Sequence, residues 1–351
     1  IKDNLSKEVK TKLIAIYNVE DKTYVGAVDI VLEPKHRIEI KNEGINFVNS
    51  FSVTSGGYVI NGETITKNDF IDLYFNIYKA NLKVKSSAVS CSVTNKEINL
   101  NNEAVYEVKV QIGLESESIY FKLTDSQTEY SYSKLDDRNV YIGGDAIVLT
   151  NCVGQFINNA TGEEIKANST LDYKFMALDD GAIIASDGVV LNTNFSINEK
   201  VYKILVSMTA IDGNNYFAVI NLVVYPSVTI NLTYTQAGQS ITIAKAGSEI
   251  NLKDYIAFAP QRSGIRDYVL NNDTTSYEVI VFDKEGNKIT SNLSSYFTLS
   301  GVSGGLTYES INPKLSISLN ADGYIFIVKA SMRFDEGTIS SYYYIKIDGI
   351  S

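Results

Sequence analysis

The chain's 351 residues are enough for about two to four domains rather than a single core. Hydrophobic residues make up 44% of it, which excludes a disordered chain. A formal net charge of −10 excludes a basic nucleic-acid surface, and one His with two Cys excludes a zinc site built on either ligand type.

The opening residues, Ile1-Lys2-Asp3-Asn4-Leu5-Ser6-Lys7, lack the apolar core of a signal peptide. No later stretch reaches the roughly 18 apolar residues of a membrane span. A hairpin pattern comes next: residues 12–17, a turn at Glu20-Asp21-Lys22, and 24–32 ahead of Pro34. Its apolar face carries Leu13, Tyr17, Val28, Ile30 and Leu32. Pro34 ends the strand and stiffens a junction. His36 follows between Lys35 and Arg37, where nothing orients it as a base, so it reads as a solvated linker residue.

From there on, period-2 alternation dominates, and only 68–77 and 254–258 have room for a short turn of helix. The remainder reads as short strands separated by Gly, Asn, Asp and Ser clusters. A long hairpin recurs three times. Asn102, Asn198 and Asn320 each stand four residues before a Tyr, namely Tyr106, Tyr202 and Tyr324. Alternate residues after each Tyr are apolar: Val108, Val110, Ile112; Ile204, Val206, Met208; Phe326, Val328, Ala330. Lys109, Gln111, Lys203, Ser207 and Lys329 lie between them and are expected to point outward. A polar turn and a closing strand follow, at 119–123, 216–225 and 339–347. A second marker precedes each hairpin: Gly62-Glu63-Thr64-Ile65, Gly162-Glu163-Glu164-Ile165 and Gly286-Asn287-Lys288-Ile289, with Phe70, Tyr173 and Tyr296 after them.

The two markers repeat at intervals of roughly 100 and then roughly 120 residues, the size of a sandwich domain rather than of a solenoid repeat. Residues 1–34 match only the last hairpin of such a unit, so the chain is expected to begin inside a domain. The expected division is a partial unit at 1–34 and domains at 35–127, 128–226 and 227–351.

On these Asn-x-x-x-Tyr steps the sequence resembles tandem bacterial immunoglobulin-like domains of cell-surface, surface-layer type proteins. Each Tyr falls where that family places its tyrosine corner, at the start of the penultimate strand. Val108, Ile204 and Phe326 stand where the family often has a cysteine, and there is no core Trp. Both departures suit disulfide-free versions. The resemblance implies an all-β fold of tandem antiparallel sandwiches in an elongated array, and an exported, non-catalytic protein. It also implies that the hydroxyls of Tyr106, Tyr202 and Tyr324 bond to backbone just upstream.

Few side chains suggest chemistry. Asp136, Asp137, Asp179 and Asp180, with Asp145 and Asp187 nearby, are candidate oxygen ligands for Ca²⁺ between domains. No Asp-x-Asp-x-Asp-Gly loop accompanies them, and Asp-Gly pairs are ordinary turn chemistry. No catalytic residue and no other cofactor is expected. Cys91 and Cys152 fall in neighbouring domains and are expected to stay unbonded to each other. Gly143-Gly144 and 301–305 read as hairpin turns, since they lack the Lys of a phosphate loop. In Tyr342-Tyr343-Tyr344, alternation puts Tyr343 inward and Tyr342 and Tyr344 outward, where phenols can stack on sugars or form a protein interface, although tyrosine also simply suits strands. The expected role is a structural part of a surface layer, sheath or filament at the cell surface. Its partners would be further copies of itself or other surface proteins, and neither nucleic acid nor a membrane span is expected. The alternatives are an adhesin for glycan or protein and a phage virion component.

Overall fold

The computed structural model describes residues 9–19, 22–32, 35–124, 130–135, 140–179, 182–196, 198–234, 241–261, 275–302, 308, 311–334 and 337–350. The fold is all-β, in tandem antiparallel sandwiches.

Strands β1 (Val9–Val19) and β2 (Lys22–Leu32) pair with each other in a two-stranded sheet. Leu13, Tyr17 and Val28 on that ribbon are exposed. Three sandwiches follow, each centred on one broad sheet. In the first, β3 (Ile45–Val48), β4 (Ser92–Leu100), β5 (Glu103–Ile112) and β6 (Glu115–Leu123) lie in the order β4-β5-β6-β3. In the second, β7 (Tyr141–Ile142), β8 (Tyr173–Ala177), β9 (Lys200–Thr209) and β10 (Asn215–Tyr225) lie in the order β7-β10-β9-β8. In the third, β11 (Thr242–Ala246), β12 (Thr275–Phe282), β13 (Ile325–Phe334) and β14 (Gly337–Ile350) lie in the order β11-β14-β13-β12, and Lys288–Ile289 adds an edge.

The plan is the same each time. The opening strand runs parallel to the closing strand, which returns antiparallel along the penultimate one: β3 with β6, β7 with β10, β11 with β14. The recurrent hairpins of the sequence are therefore the β5–β6, β9–β10 and β13–β14 pairs. Their inward residues fill three cores, with Val108, Val110 and Ile112 in the first, Ile204, Val206 and Met208 in the second, and Phe326, Val328 and Ala330 in the third. Small sheets close the opposite side of each core.

Helix α1 (Lys67–Tyr74) answers the helical signal at 68–77. The Thr66 hydroxyl oxygen accepts the Asp69 N–H at 3.2 Å, satisfying an orphan donor of the first turn. Phe70 and Ile71 are wholly buried. At 254–258, by contrast, a short 3-10 turn (Leu252–Asp254) passes straight into the strand Ile256–Pro260.

The second sequence marker is not a topological repeat. Gly62, Gly162 and Gly286 all adopt positive φ, at 81°, 73° and 84°, so each is a local hairpin turn that glycine allows. The hairpins differ in place: in the third sandwich Gly286 lies between β12 and its edge, whereas Gly162 precedes β8, the corresponding strand of the second. The marker reported turn chemistry alone.

Candidate functional site

A strand with one face in a core has a second face to dispose of. In the first two sandwiches these second faces meet. Ile98, Leu100, Val105 and Tyr120 project from β4, β5 and β6, away from their own core. They pack with Leu205, Phe217 and Val219 from β9 and β10, and Met176 of β8 lies against the same cluster. Broad sheet thus lies on broad sheet, and Phe217 is only 1% exposed.

A polar network borders this apolar patch. Asn101 and Asn102 form the β4–β5 turn, both at positive φ, the signature of a two-residue primed hairpin. That turn presents the Asn101 side chain to the second sandwich, where its amide donates to Asn215 Oδ1 at 2.6 Å and Thr209 Oγ1 at 3.0 Å. The Thr209 hydroxyl donates to the same Asn215 oxygen at 2.7 Å. Asn215 Nδ2 donates to Glu103 Oε1 at 2.7 Å, and Glu103 Oε2 pairs with Lys122 Nζ at 2.7 Å. Toward the other end, Lys203 pairs with Glu117 at 2.7 Å, and Lys134 pairs with Glu43.

Beside the network lies a cleft of about 220 Å³, bounded by Phe47, Glu103, Lys122, Tyr130, Asn215 and Phe217 among others. Phe47 and Tyr130 meet edge to face at 4.7 Å. The Tyr130 hydroxyl accepts the Phe217 N–H at 2.8 Å and donates to the Phe217 carbonyl at 3.1 Å. A side chain thereby caps an open stretch of the β10 edge, which would otherwise invite pairing. Burial pushes the Tyr120 phenol up at the junction, and the nearby Glu107 and Asp179 carboxylates add to it. Burial likewise raises the Asp179 carboxyl, against the pull of the Lys203 backbone N–H, which it accepts at 2.5 Å.

The second and third sandwiches are joined differently. Only Pro226 and Ser227 separate β10 from the strand Val228–Leu232. Ser227 is fully buried; its hydroxyl donates to the Gly143 carbonyl at 2.9 Å and accepts the Ser196 N–H at 2.8 Å. A Cβ on Gly143 would lie 2.5 Å from Ser227 Oγ. Gly143 is therefore a close-packing position, not merely part of a turn. Ile142 of the second sandwich is counted in the core of the third.

Of the candidate calcium ligands, Asp136, Asp137 and Asp180 lie outside the described residues. Asp179 serves the junction as above. Asp145 accepts the Ile142 N–H and Asp187 the N–H groups of Val189 and Val190, both as turn residues. Among the described residues no three His, Cys, Asp or Glu gather as metal ligands. His36 is not in a linker: it opens the strand His36–Ile40 and pairs with Lys79. Partial burial lowers its pKa, helped by Lys35 and Lys79. Both cysteines are free, and the Cys152 sulfur sits 3.1 Å from the Tyr141 hydroxyl.

The tyrosine corners expected at Tyr106, Tyr202 and Tyr324 are not formed among the described residues. Tyr324 instead shares a hydrogen bond with Tyr296, their rings 4.9 Å apart. Among the described residues Tyr308 accepts the upstream Phe258 N–H at 3.1 Å, and Tyr343 donates to the Thr233 carbonyl at 2.7 Å and meets Thr242 Oγ1 as well. Burial drives its pKa to about 12. Tyr343 points inward and Tyr342 outward as alternation requires, but Tyr344 is nearly buried on the outer face. Ser207, expected to be solvated, is wholly buried beneath the first sandwich.

No protein-family model matches the sequence, and no curated protein matches it. Solved structures similar to it include the extracellular cadherin domains 1–5 of protocadherin gamma B2 (9% identity, TM-score 0.22, 98% of this chain and 66% of that one). Domains 4 and 5 of the S-layer protein SbsC are also similar (13% identity, TM-score 0.25, 64% of this chain and 98% of that one). So is the titin Ig tandem A164-A165 (12% identity, TM-score 0.20, 60% of this chain and 92% of that one). No helix among the described residues is long and apolar enough to cross a membrane.

Proposed function

We propose that this chain is a non-catalytic structural component of an extracellular assembly such as a surface layer, sheath or filament. The proposal takes its tandem immunoglobulin-like domains as 35–127, 128–226 and 227–351, with 1–34 as the last hairpin of a further unit. The supporting observation is the junction of the first two sandwiches, where an apolar cluster and a cross-linking network hold broad sheet on broad sheet. Relative domain motion is the default within a chain unless the contact buries apolar surface, and this contact centres on an apolar cluster. A stiff array of sandwiches transmits position rather than performing chemistry. Electron cryotomography of the native assembly tests this. A regular lattice or filament with lateral contacts between chains is the expected result, and dispersed, unordered chains would overturn it.

The cleft beside Phe47 and Tyr130 favours a second reading, an adhesin taking a glycan or protein there. Binding of a soluble glycan that Tyr130→Ala abolishes would move the conclusion to that reading.

A further inference from the structure

The cleft between the first two sandwiches is walled by residues whose spare bonding capacity defines what it can hold. Its volume, about 220 Å³, lies below the roughly 300–1,000 Å³ of pockets that take drug-sized molecules, so it has room for one ring or the end of a chain. The two domains that build it are held together by the apolar cluster and by the Asn101–Asn215–Glu103 network, so the site is preformed. One wall is aromatic. Phe47 on β3 is 37% exposed and meets Tyr130 edge to face, and the Tyr130 hydroxyl is anchored on the Phe217 backbone. The cleft therefore has ring surface that a second ring holds in place.

The rest of the lining is polar, and its two charges cancel. Lys122, with 13% of its side chain exposed, pairs with Glu103 at 2.7 Å and donates to the Leu123 carbonyl at 3.2 Å. An ammonium has three protons, so one remains for a ligand. Glu103 accepts one bond at each oxygen, from Asn215 and from Lys122, and each carboxylate oxygen has a second lone pair. Asn214, in the β9–β10 turn, spends its backbone N–H and its side-chain amide protons on Asp212, at 2.9 Å and 3.1 Å. Its Oδ1 has no partner among the described residues. The cleft thus offers one spare donor beside several spare acceptors.

An anion suits these groups poorly. It would find a single cation already neutralised, and it has no proton to give to the Glu103 and Asn214 oxygens. A cation would compete with Lys122 for Glu103 and leave the spare ammonium proton unused. Neighbouring hydroxyls on one carbon ring do both jobs, accepting from Lys122 and donating to Glu103 or Asn214, while the C–H face of the ring covers Phe47. We infer that the cleft binds one neutral, hydroxyl-rich sugar ring, with Phe47 against the ring and Lys122, Glu103 and Asn214 at its hydroxyls. This inference rests on the adhesin reading above and names the ligand class of that site.

Saturation-transfer NMR of the full chain tests it, with the methyl glycosides of glucose, galactose, mannose and N-acetylglucosamine as probes. The expected result is saturation of at least one of the four, with a dissociation constant in the millimolar range. Phe47→Ala should weaken that binding at least tenfold. Asn214→Ala, at an exposed turn position, should weaken it severalfold with an unchanged melting temperature, which keeps the test decisive if Phe47→Ala disturbs the packing on Tyr130. Leu319→Ala, on an exposed turn of the third sandwich, should change nothing. Absence of transfer to all four probes overturns the inference, as does binding that survives both cleft substitutions. Transfer to glucuronate or glucose 6-phosphate, lost with Asn214→Ala and without transfer to the neutral probes, overturns the neutral-sugar inference and leaves the adhesin reading standing.

Discussion

Asn215 of the second sandwich donates its side-chain amide to Glu103 of the first across 2.7 Å, while its carbonyl oxygen accepts from Asn101 and Thr209. A single carboxamide therefore serves as both donor and acceptor between two domains. Asn215→Ala should leave Glu103 and Asn101 without their partners and cost about 1–3 kcal/mol, the penalty for orphaning partly buried polar groups. Calorimetry should show the melting of the first two sandwiches separating. Retention of one shared transition would mean that the apolar cluster alone couples them.

The Tyr130 hydroxyl occupies both backbone groups of Phe217 on a strand whose other neighbour, β7, pairs only with Val224 and Tyr225. Tyr130→Phe keeps the ring against Phe47 and removes only that cap. The expected loss is again about 1–3 kcal/mol, and hydrogen exchange at the Phe217 amide should accelerate. An unchanged amide would show that another group replaces the hydroxyl.

Gly143→Ala should loosen the junction of the second and third sandwiches. The new Cβ would lie 2.5 Å from Ser227 Oγ and 2.8 Å from the Ser196 nitrogen, inside a fully buried contact. Overpacking of this kind costs about 1–3 kcal/mol. Gly162→Ala is the control, because its Cβ would meet open space at φ +73° and pay only backbone strain of about 1–2 kcal/mol. Limited proteolysis separates the two: Gly143→Ala should expose the linker around Ser227 to cleavage, and Gly162→Ala should not.

The hairpins were legible because their alternation is strict where one face meets a core: Val108, Val110 and Ile112 in β5 are buried and Lys109 and Gln111 are exposed. The junction was harder to see, because alternation says that a strand has two faces and not what covers the second. A signal was present in Ile204-Leu205-Val206, where Leu205 interrupts the pattern, and in Phe217 and Val219 at outward positions of β10. The Tyr324–Tyr296 pairing was illegible for a different reason. A phenol's partner depends on which loop passes within reach, and spacing along one strand does not encode that. Gly143 shows the same limit: a pair of glycines announces unusual backbone but not the serine, more than eighty residues on, that packs against it.

Acid should act in opposite directions at two aspartates. Asp212 lies in the β9–β10 turn. Burial alone would raise its pKa, but the Asn214 N–H at 2.9 Å, the Tyr216 hydroxyl at 2.8 Å and the Asn214 amide at 3.1 Å outweigh it and hold the carboxyl below its ordinary value. A depressed pKa means that the folded state holds the proton less tightly than the unfolded one. Its contribution is therefore fully present above the ordinary carboxylate range and is lost as pH falls through the depressed value. Asp179 is the reverse case. Burial, with Glu107 adding to it, raises its pKa despite Lys203, so its protonated form favours the folded junction. That contribution is present below the ordinary range and disappears as pH rises through the raised value. Stability measured from neutral pH downward should thus include a gain at Asp179 before the loss at Asp212 sets in. Asp179→Asn mimics the protonated form and should remove the gain while leaving the later loss. Asp212→Asn should do the opposite, lowering stability at neutral pH and flattening the acid limb. If Asp179→Asn leaves the upper part of the profile unchanged, the carboxylate at the junction is solvated in solution and does not sense pH.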